Sequence, residues 1–297
     1  MATASSRAQV STEIFENILF ATDFSQYSRQ ALPYVGSLAR NFGSKVFVCH
    51  VVTASQLVIG APEAAPYLYE AEWRNSEEQL TAMTHLPELQ GLKTQVVLSS
   101  GLLEDEITQS INRNHINLIV VGTHGRTGLS RLVLGSAAEQ ICRMAECPVL
   151  TIGPDLVIRE DVEIRRIVVP VDFSPESMTV LPYVAGIARQ YGASITFLHV
   201  IPVDVGANVD GHTLAETARR TFKKTMAEGV AEHDCEFLVE FGHLADTILE
   251  VARRKKADLI AMGIRHSDTP AFQLRCSMAY QIMANAHCPV LTSRERT

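Results

Sequence analysis

The chain has 297 residues, of which 46% are hydrophobic and 20% charged, a globular balance. Its net charge of −7 argues against a protein that tracks a nucleic-acid backbone, which needs clustered Lys and Arg. No apolar run reaches membrane-span length, and MATASSRAQVSTE at the start lacks a basic-then-apolar signal pattern; a cytoplasmic protein with no nucleic-acid or membrane partner is expected.

In chain order, ILFAT (18–22) reads as a continuous apolar strand. Ala31, Leu32, Val35, Leu38 and Ala39 then follow helical spacing. KVFVCHV (45–51) is a second strand, residues 63–84 suit a helix, and TQVVLS (94–99) is a third strand. EDEITQSINRN (104–114) reads as a helix and NLIVVG (117–122) as a fourth strand. Residues 136–145 form a helix and PVLTI (148–152) a fifth strand. GPDLVIREDVEIR (153–165) opens with Gly-Pro and is charge-rich, as a linker should be.

The rest of the chain repeats this order. NILFATDFS (17–25) matches RIVVPVDFS (166–174), and LPYVGSLARNFGSKVFVCHV (32–51) matches LPYVAGIARQYGASITFLHV (181–200), both at an offset of 149. The carboxyl halves match at an offset of 141: NLIVVG with DLIAMG (258–263), and AECPVLT (145–151) with AHCPVLT (286–292). A period this long is a duplicated domain, with one copy at 14–153 and the other at 165–294. Apolar strands alternating with helices predict an α/β fold, two tandem doubly wound five-stranded parallel sheets. Six cysteines match no CxxC zinc pair. Cys49 lies in the apolar KVFVCHVV, and buried reduced thiols are expected.

If the strand order is 3-2-1-4-5, ligands bind where the order reverses, between strands 1 and 4. The loop carrying Ala21, Thr22 and Asp23 then faces the stretch GTHGRTGLSRLVLGS (122–136). Gly122 ends the strand, and Gly125 permits positive φ and a close backbone approach. Gly135 and Ser136 begin a helix whose free N–H groups suit a phosphate. Glycines that merely shape a long loop explain the spacing equally well. The stretch is neither a Walker A loop nor a GxGxxG turn. Ser25 is expected to cap the first helix, as Ser174 does before Pro175, which leaves Asp23 spare for a nucleoside, although its counterpart Asp172 points to a partly structural role.

The pattern Gly122-x2-Gly125-x9-Gly135-Ser136, with ILFATDFS before it and CPVLTI after it, resembles the nucleotide-binding motif of universal stress proteins. The resemblance spans both copies. It implies a Rossmann-like, adenine nucleotide alpha hydrolase-like fold and the following ATP site. Asp23 meets the nucleoside and the backbone of Val51 faces the adenine. Val121 and Gly122 line the pocket, and Gly125, Gly135, Ser136 and Ala137 hold the phosphates, with Mg2+ accompanying the triphosphate. Ala21 stands where the ATP-binding pattern often has Pro. His124 and Arg126 either touch the γ-phosphate or are solvated loop side chains. The second copy reads GIRHSDTPAFQLRCS (263–277), with His266 and Cys276 in place of two glycines, and is expected to bind ATP weakly or not at all. His266, Cys276 and His199 have metal-binding side chains but no recognisable ligand spacing.

Three functions are compatible with this sequence. The first is a regulatory ATP-binding protein of the stress response, in which ATP orders the 122–136 loop and shifts contacts with an unidentified protein partner. The second is a slow ATPase or phosphotransferase, although no base held by a second group stands near the crevice and no catalytic residue is assigned. The third is a nucleotide-free scaffold. The resemblance also implies pairing through the final strands, as a pseudo-dimer within the chain, with a homodimer as a further option.

Overall fold

The computed structural model describes residues 14–53, 65–123, 134–153, 156, 161–203, 211–225, 234–264 and 270–295, with backbone alone at 65, 211 and 270–277. The chain forms two compact units that divide at Val162–Glu163.

The first unit runs β1 (Asn17–Ala21), α1 (Gln26–Arg29), α2 (Leu32–Phe42), β2 (Lys45–Val52), α3 (Ala65–Thr84), β3 (Lys93–Ser100), α4 (Leu103–Asn114), β4 (Leu118–Gly122), α5 (Ser136–Met144) and β5 (Val149–Ile152). The second repeats it as β6 (Arg166–Pro170), α6 (Pro175–Met178), α7 (Leu181–Tyr191), β7 (Ser194–Ile201), α8 (Gly211–Thr225), β8 (Cys235–Phe241), α9 (Leu244–Arg254), β9 (Leu259–Gly263), α10 (Pro270–Asn285) and β10 (Val290–Ser293). The first helix after β1 is interrupted: α1 stops at Arg29 and α2 restarts at Leu32, with Pro33 in its first turn.

Each unit is a five-stranded parallel sheet. The first has the order β3-β2-β1-β4-β5 and the second the equivalent order β8-β7-β6-β9-β10. β1 lies between β2 and β4, with Ala21 level with Cys49 on one side and Val121 on the other. The reversal of strand order therefore falls between β1 and β4, and between β6 and β9 in the second unit. The central strands are buried along their length, β4 completely, because helices cover both faces. Phe15, Ile18, Leu19, Phe20, Leu118 and Ile119 are fully inaccessible at the centre of the first unit. α2 and α7 both end at a glycine in the left-handed conformation, Gly43 with φ 70° and Gly192 with φ 66°, a turn that glycine makes without a Cβ penalty.

The two units tie the foot of their central strands together with different chemistry at matching positions. In the first, Asn117 Oδ1 accepts from the Asn17 amide at 3.0 Å, and Asn17 Nδ2 donates to the His115 carbonyl. In the second, Asp258 Oδ2 accepts from the amides of Arg165 and Arg166, and the Arg166 guanidinium pairs with the same carboxylate at 3.3 Å. A neutral amide pair has become an ion pair that serves the same strands.

Among the described residues Cys49, Cys142, Cys147 and Cys288 are buried free thiols, and Cys235 is a half-buried one; the side chain of Cys276 lies outside the description. Burial pushes the Cys49 thiol up to about 12 and the Cys288 thiol to about 12 as well, because a thiolate loses its hydration in the core. Glu106 adds to the effect at Cys49 and Asp258 at Cys288. Above the ordinary thiol value of 9.0 the unfolded chain releases these protons while the folded chain keeps them, so their contribution to stability falls as pH rises through that range. Iodoacetamide at pH 8 is expected to leave Cys49 and Cys288 unmodified in the folded protein and to modify both in urea, read by peptide mass spectrometry. Rapid modification without urea would contradict the assignment.

Candidate functional site

At the carboxyl end of the sheet in the first unit, β1 stops at Ala21 and β4 at Gly122 on neighbouring strands. Gly122 is needed there for space. A Cβ on it would stand 3.1 Å from Ser28 Cα and 3.1 Å from the Tyr27 carbonyl oxygen, both backbone atoms of α1. In the second unit the constraint is tighter. A Cβ on Gly263 would stand 2.8 Å from Ser177 Cα and closer still to the Glu176 carbonyl oxygen. The short helix after the first strand thus lies against the end of the fourth strand, which gives this glycine a packing role in both units.

The loop after the first strand is built identically in both units. Asp23 is not spare: its Oδ1 accepts from the Ser25 amide at 3.0 Å, and Asp172 Oδ1 accepts from the Ser174 amide and hydroxyl. Ser25 and Ser174 cap the following helices, accepting from the amides of Ser28 and Ser177. The residue between takes the left-handed conformation, Phe24 with φ 64° and Phe173 with φ 63°, costly for a bulky side chain. Each ring packs on the histidine near the end of the second strand. The Phe24–His50 centroids are 4.4 Å apart and the Phe173–His199 centroids 5.0 Å. Each histidine Nδ1 bonds to the carbonyl of the residue before the aspartate, Thr22 at 2.7 Å and Val171 at 2.8 Å. Asp23 therefore shapes the rim of the crevice as well as facing it. Phe24 and His50 are missed by reading Asp23 alone, although the repetition of DFS and HV in both copies marks them. Thr22 is buried, with its hydroxyl within bonding distance of Ser28 Oγ at 2.9 Å and accepting from the Phe24 amide, and its amide donates to the Cys49 carbonyl while its carbonyl meets His50, so its polar groups hold the loop together. Ala21, Val51 and Val121 are buried at or near the carboxyl ends of β1, β2 and β4.

Gly125 and Arg126, with His124, lie outside the described residues. Of the remaining motif, the Gly135 amide donates to the Thr123 carbonyl at 2.6 Å, which brings the two ends of the 124–134 segment together. Thr123 is held from the other side, its amide donating to the Ile152 carbonyl at 2.8 Å. Gly135 is the N-cap of α5 and offers no side chain; its φ of −58° and ψ of 142° suit any residue. Glycine is not required there by positive φ. Ser136 and Ala137 are exposed on the first turn of α5, where N–H groups have no intrahelical partner.

The second unit differs at this point. The counterpart of Ser136 is Ser277, yet α10 already begins at Pro270. Pro is favoured at a first helical position because it has no N–H to satisfy. The helix thus starts earlier and runs through the positions of Cys276 and Ser277. Their amides belong to the helix interior, where they meet carbonyls of the preceding turn.

Above β6 and β9 the second unit has a cavity of about 150 Å³. Its walls include Pro170, Val171, Asp172, Val200, Met262 and Gly263, the counterparts of Ala21, Thr22, Asp23, Val51, Val121 and Gly122. Met278 in its wall is the counterpart of Ala137. The sequence-predicted site of the first unit and the cavity of the second are thus the same place in the fold. His199 lies within β7 and bonds to Val171 as described. Among the described residues no three His, Cys, Asp or Glu side chains gather as metal ligands, and no helix is long and apolar enough to cross a membrane.

Two doubly wound parallel sheets in one chain, each with its crevice at the switch point, define a tandem α/β protein. The model of the universal stress protein family matches residues 15–153 and again 163–294, and the chain belongs to that family as a tandem two-domain member. Universal stress protein MJ0531 of Methanocaldococcus jannaschii is 32% identical over 141 residues, covering 47% of this chain and 82% of its own. Universal stress protein A homolog 1 of Coxiella burnetii is 30% identical over 139 residues, covering 46% and 96%. A solved universal stress protein from Archaeoglobus fulgidus aligns over 94% of this chain and 96% of its own with a TM-score of 0.73 and 21% identity, which is a likeness of fold.

The glycine packing yields a graded expectation. Gly263→Ala should destabilise the second unit by about 1–3 kcal/mol, the usual cost of overpacking, and Gly122→Ala the first unit by less. Hydrogen exchange at β9 and β4 reads the two effects separately. Equal protection in wild type and Gly263→Ala would contradict the close approach.

Proposed function

We propose that the first unit binds ATP with Mg2+ and that the second does not, so that the chain is a regulatory nucleotide-binding protein with one ATP site. The reading rests chiefly on where the helix after the fourth strand begins. α5 starts at Ser136, beside the crevice and directly after a glycine, so its first N–H groups and the positive end of its dipole are available to phosphates. α10 starts at Pro270, and the equivalent amides are occupied.

The residues present fit the nucleotide. Ala21, Val51 and Val121 supply an apolar floor for the base, the Asp23 carboxylate lies at the rim for a ribose hydroxyl, and Ser136 and Ala137 carry the phosphate donors, which Gly135, lacking a side chain, leaves open to close approach. The side chains of the first unit orient the nucleotide and gather no set of metal ligands among the described residues. Mg2+ would accordingly be held by phosphate oxygens and water, the arrangement that this ion favours. The role is binding, and ATP would act by favouring one arrangement of the segment between Thr123 and Gly135.

Gly135→Val tests the site without straining the backbone, because the φ and ψ of Gly135 are open to valine. Mg-ATP should raise the melting temperature of the wild type; a single site filled at 100 times its Kd contributes about 2.7 kcal/mol. Gly135→Val should melt somewhat below the wild type without ATP, because valine is a poorer N-cap than glycine, and lose most of the ATP-dependent shift. A full shift in Gly135→Val, or none in the wild type, would overturn the reading.

A further inference from the structure

We propose that the cleft of the second unit binds a compact, uncharged, predominantly apolar molecule of about one ring in place of a nucleotide. Three observations carry this.

The first is the direction of change. At seven positions around the cavity the second unit has either gained apolar volume or lost a polar atom. Ala21, Thr22 and Cys49 become Pro170, Val171 and Leu198. Val121, Ala137 and Cys142 become Met262, Met278 and Met283, and Glu139 becomes Tyr280. Thr123 also becomes Ile264, so eight of the ten wall positions that differ between the units run towards an apolar wall, while Tyr27 and Gly153, which become Glu176 and Arg294, run the other way.

The second is the fit. Leu198, Ile248 and Met283 are almost wholly buried, and with Met262 and Met278 they line a half-open space of about 150 Å³. An apolar space of that size accommodates a single six-membered ring. Unbranched thioether side chains adapt to such a guest and make favourable contacts with aromatic edges. Two carboxylates, Asp172 and Glu176, and one guanidinium, Arg294, also line the cleft, a net negative charge that disfavours an anionic guest.

The third is the loss of the alternative. With the start of α10 moved to Pro270, a triphosphate has no helix terminus to meet. Moreover, α9 brings Leu244 and Ile248 to the cavity, so its wall is continuous between two helices and the sheet.

The full-length chain, labelled with 13C at its methionine methyl groups, provides the test, with indole as the probe. Indole should shift the resonances of Met262, Met278 and Met283 saturably, before and after addition of Mg-ATP, and leave Met83 in the first unit unmoved. Met278→Glu, which places a carboxylate at the cavity wall, should weaken indole binding at least tenfold, roughly 1.4 kcal/mol or more, as judged from Met262 and Met283. If that variant fails to fold, the wild-type titration alone decides. The absence of saturable shifts at the three methionines up to millimolar indole would overturn the proposal, as would Mg-ATP producing the same shifts. Because the readout lies in the second unit, failure of ATP to bind the first unit would leave it intact.

Discussion

An α-helix leaves the N–H groups of its first turn without intrahelical partners, and where that turn falls fixes where an anion can be held by backbone alone. In the first unit the turn is at Ser136, level with the ends of β1 and β4. The Gly135 amide is anchored to Thr123 and Thr123 to Ile152, so the strand end and the helix start are held in register from both sides. In the second unit the counterpart of Thr123 is Ile264, whose amide still donates to Ser293, but the helix begins at Pro270. One sheet topology therefore supports two different crevices, and the difference is a matter of a few residues of helix.

Both crevices share a frame that is independent of the ligand. Asp23 and Asp172 each accept from a serine amide, Phe24 and Phe173 each take positive φ, and His50 and His199 each hold a carbonyl across the strand ends. Gly122 and Gly263 let the first short helix lie against the fourth strand. Strain at the two phenylalanines is offset by ring packing on the histidines and by the N-caps that follow. The frame explains why an aspartate and a glycine belonging to a nucleotide motif also stand in a copy that lacks the rest of the motif.

Much of the architecture was legible in the sequence. Apolar runs of strand length separated by helical spacing placed every strand of the first unit within a residue or two, and the constant offsets carried the assignment to the second. The reversal between β1 and β4 followed from the assumed strand order, which the sheet has. The site was less legible. The interruption between α1 and α2 has no strong signal at Gln30 and Ala31. The packing role of Gly122 depends on Ser28, distant in sequence and invisible to spacing. Pro270 is a readable sign that the second unit starts its helix early, whereas the replacement of glycine at His266 and Cys276 carries no information on where that helix begins. That the methionines of the second unit form a cavity wall depends on β9 and α10 converging, which periodicity does not reveal.

The central claim is an asymmetry between two copies of one fold, with a nucleotide in the first and none in the second. Native mass spectrometry of the intact chain with saturating Mg-ATP measures it directly. The account predicts one ATP per chain, with the bound mass lost on substitution in the first unit and unaffected by Met278→Glu in the second. Two ATP molecules per chain, or one that survives Gly135→Val, would contradict it.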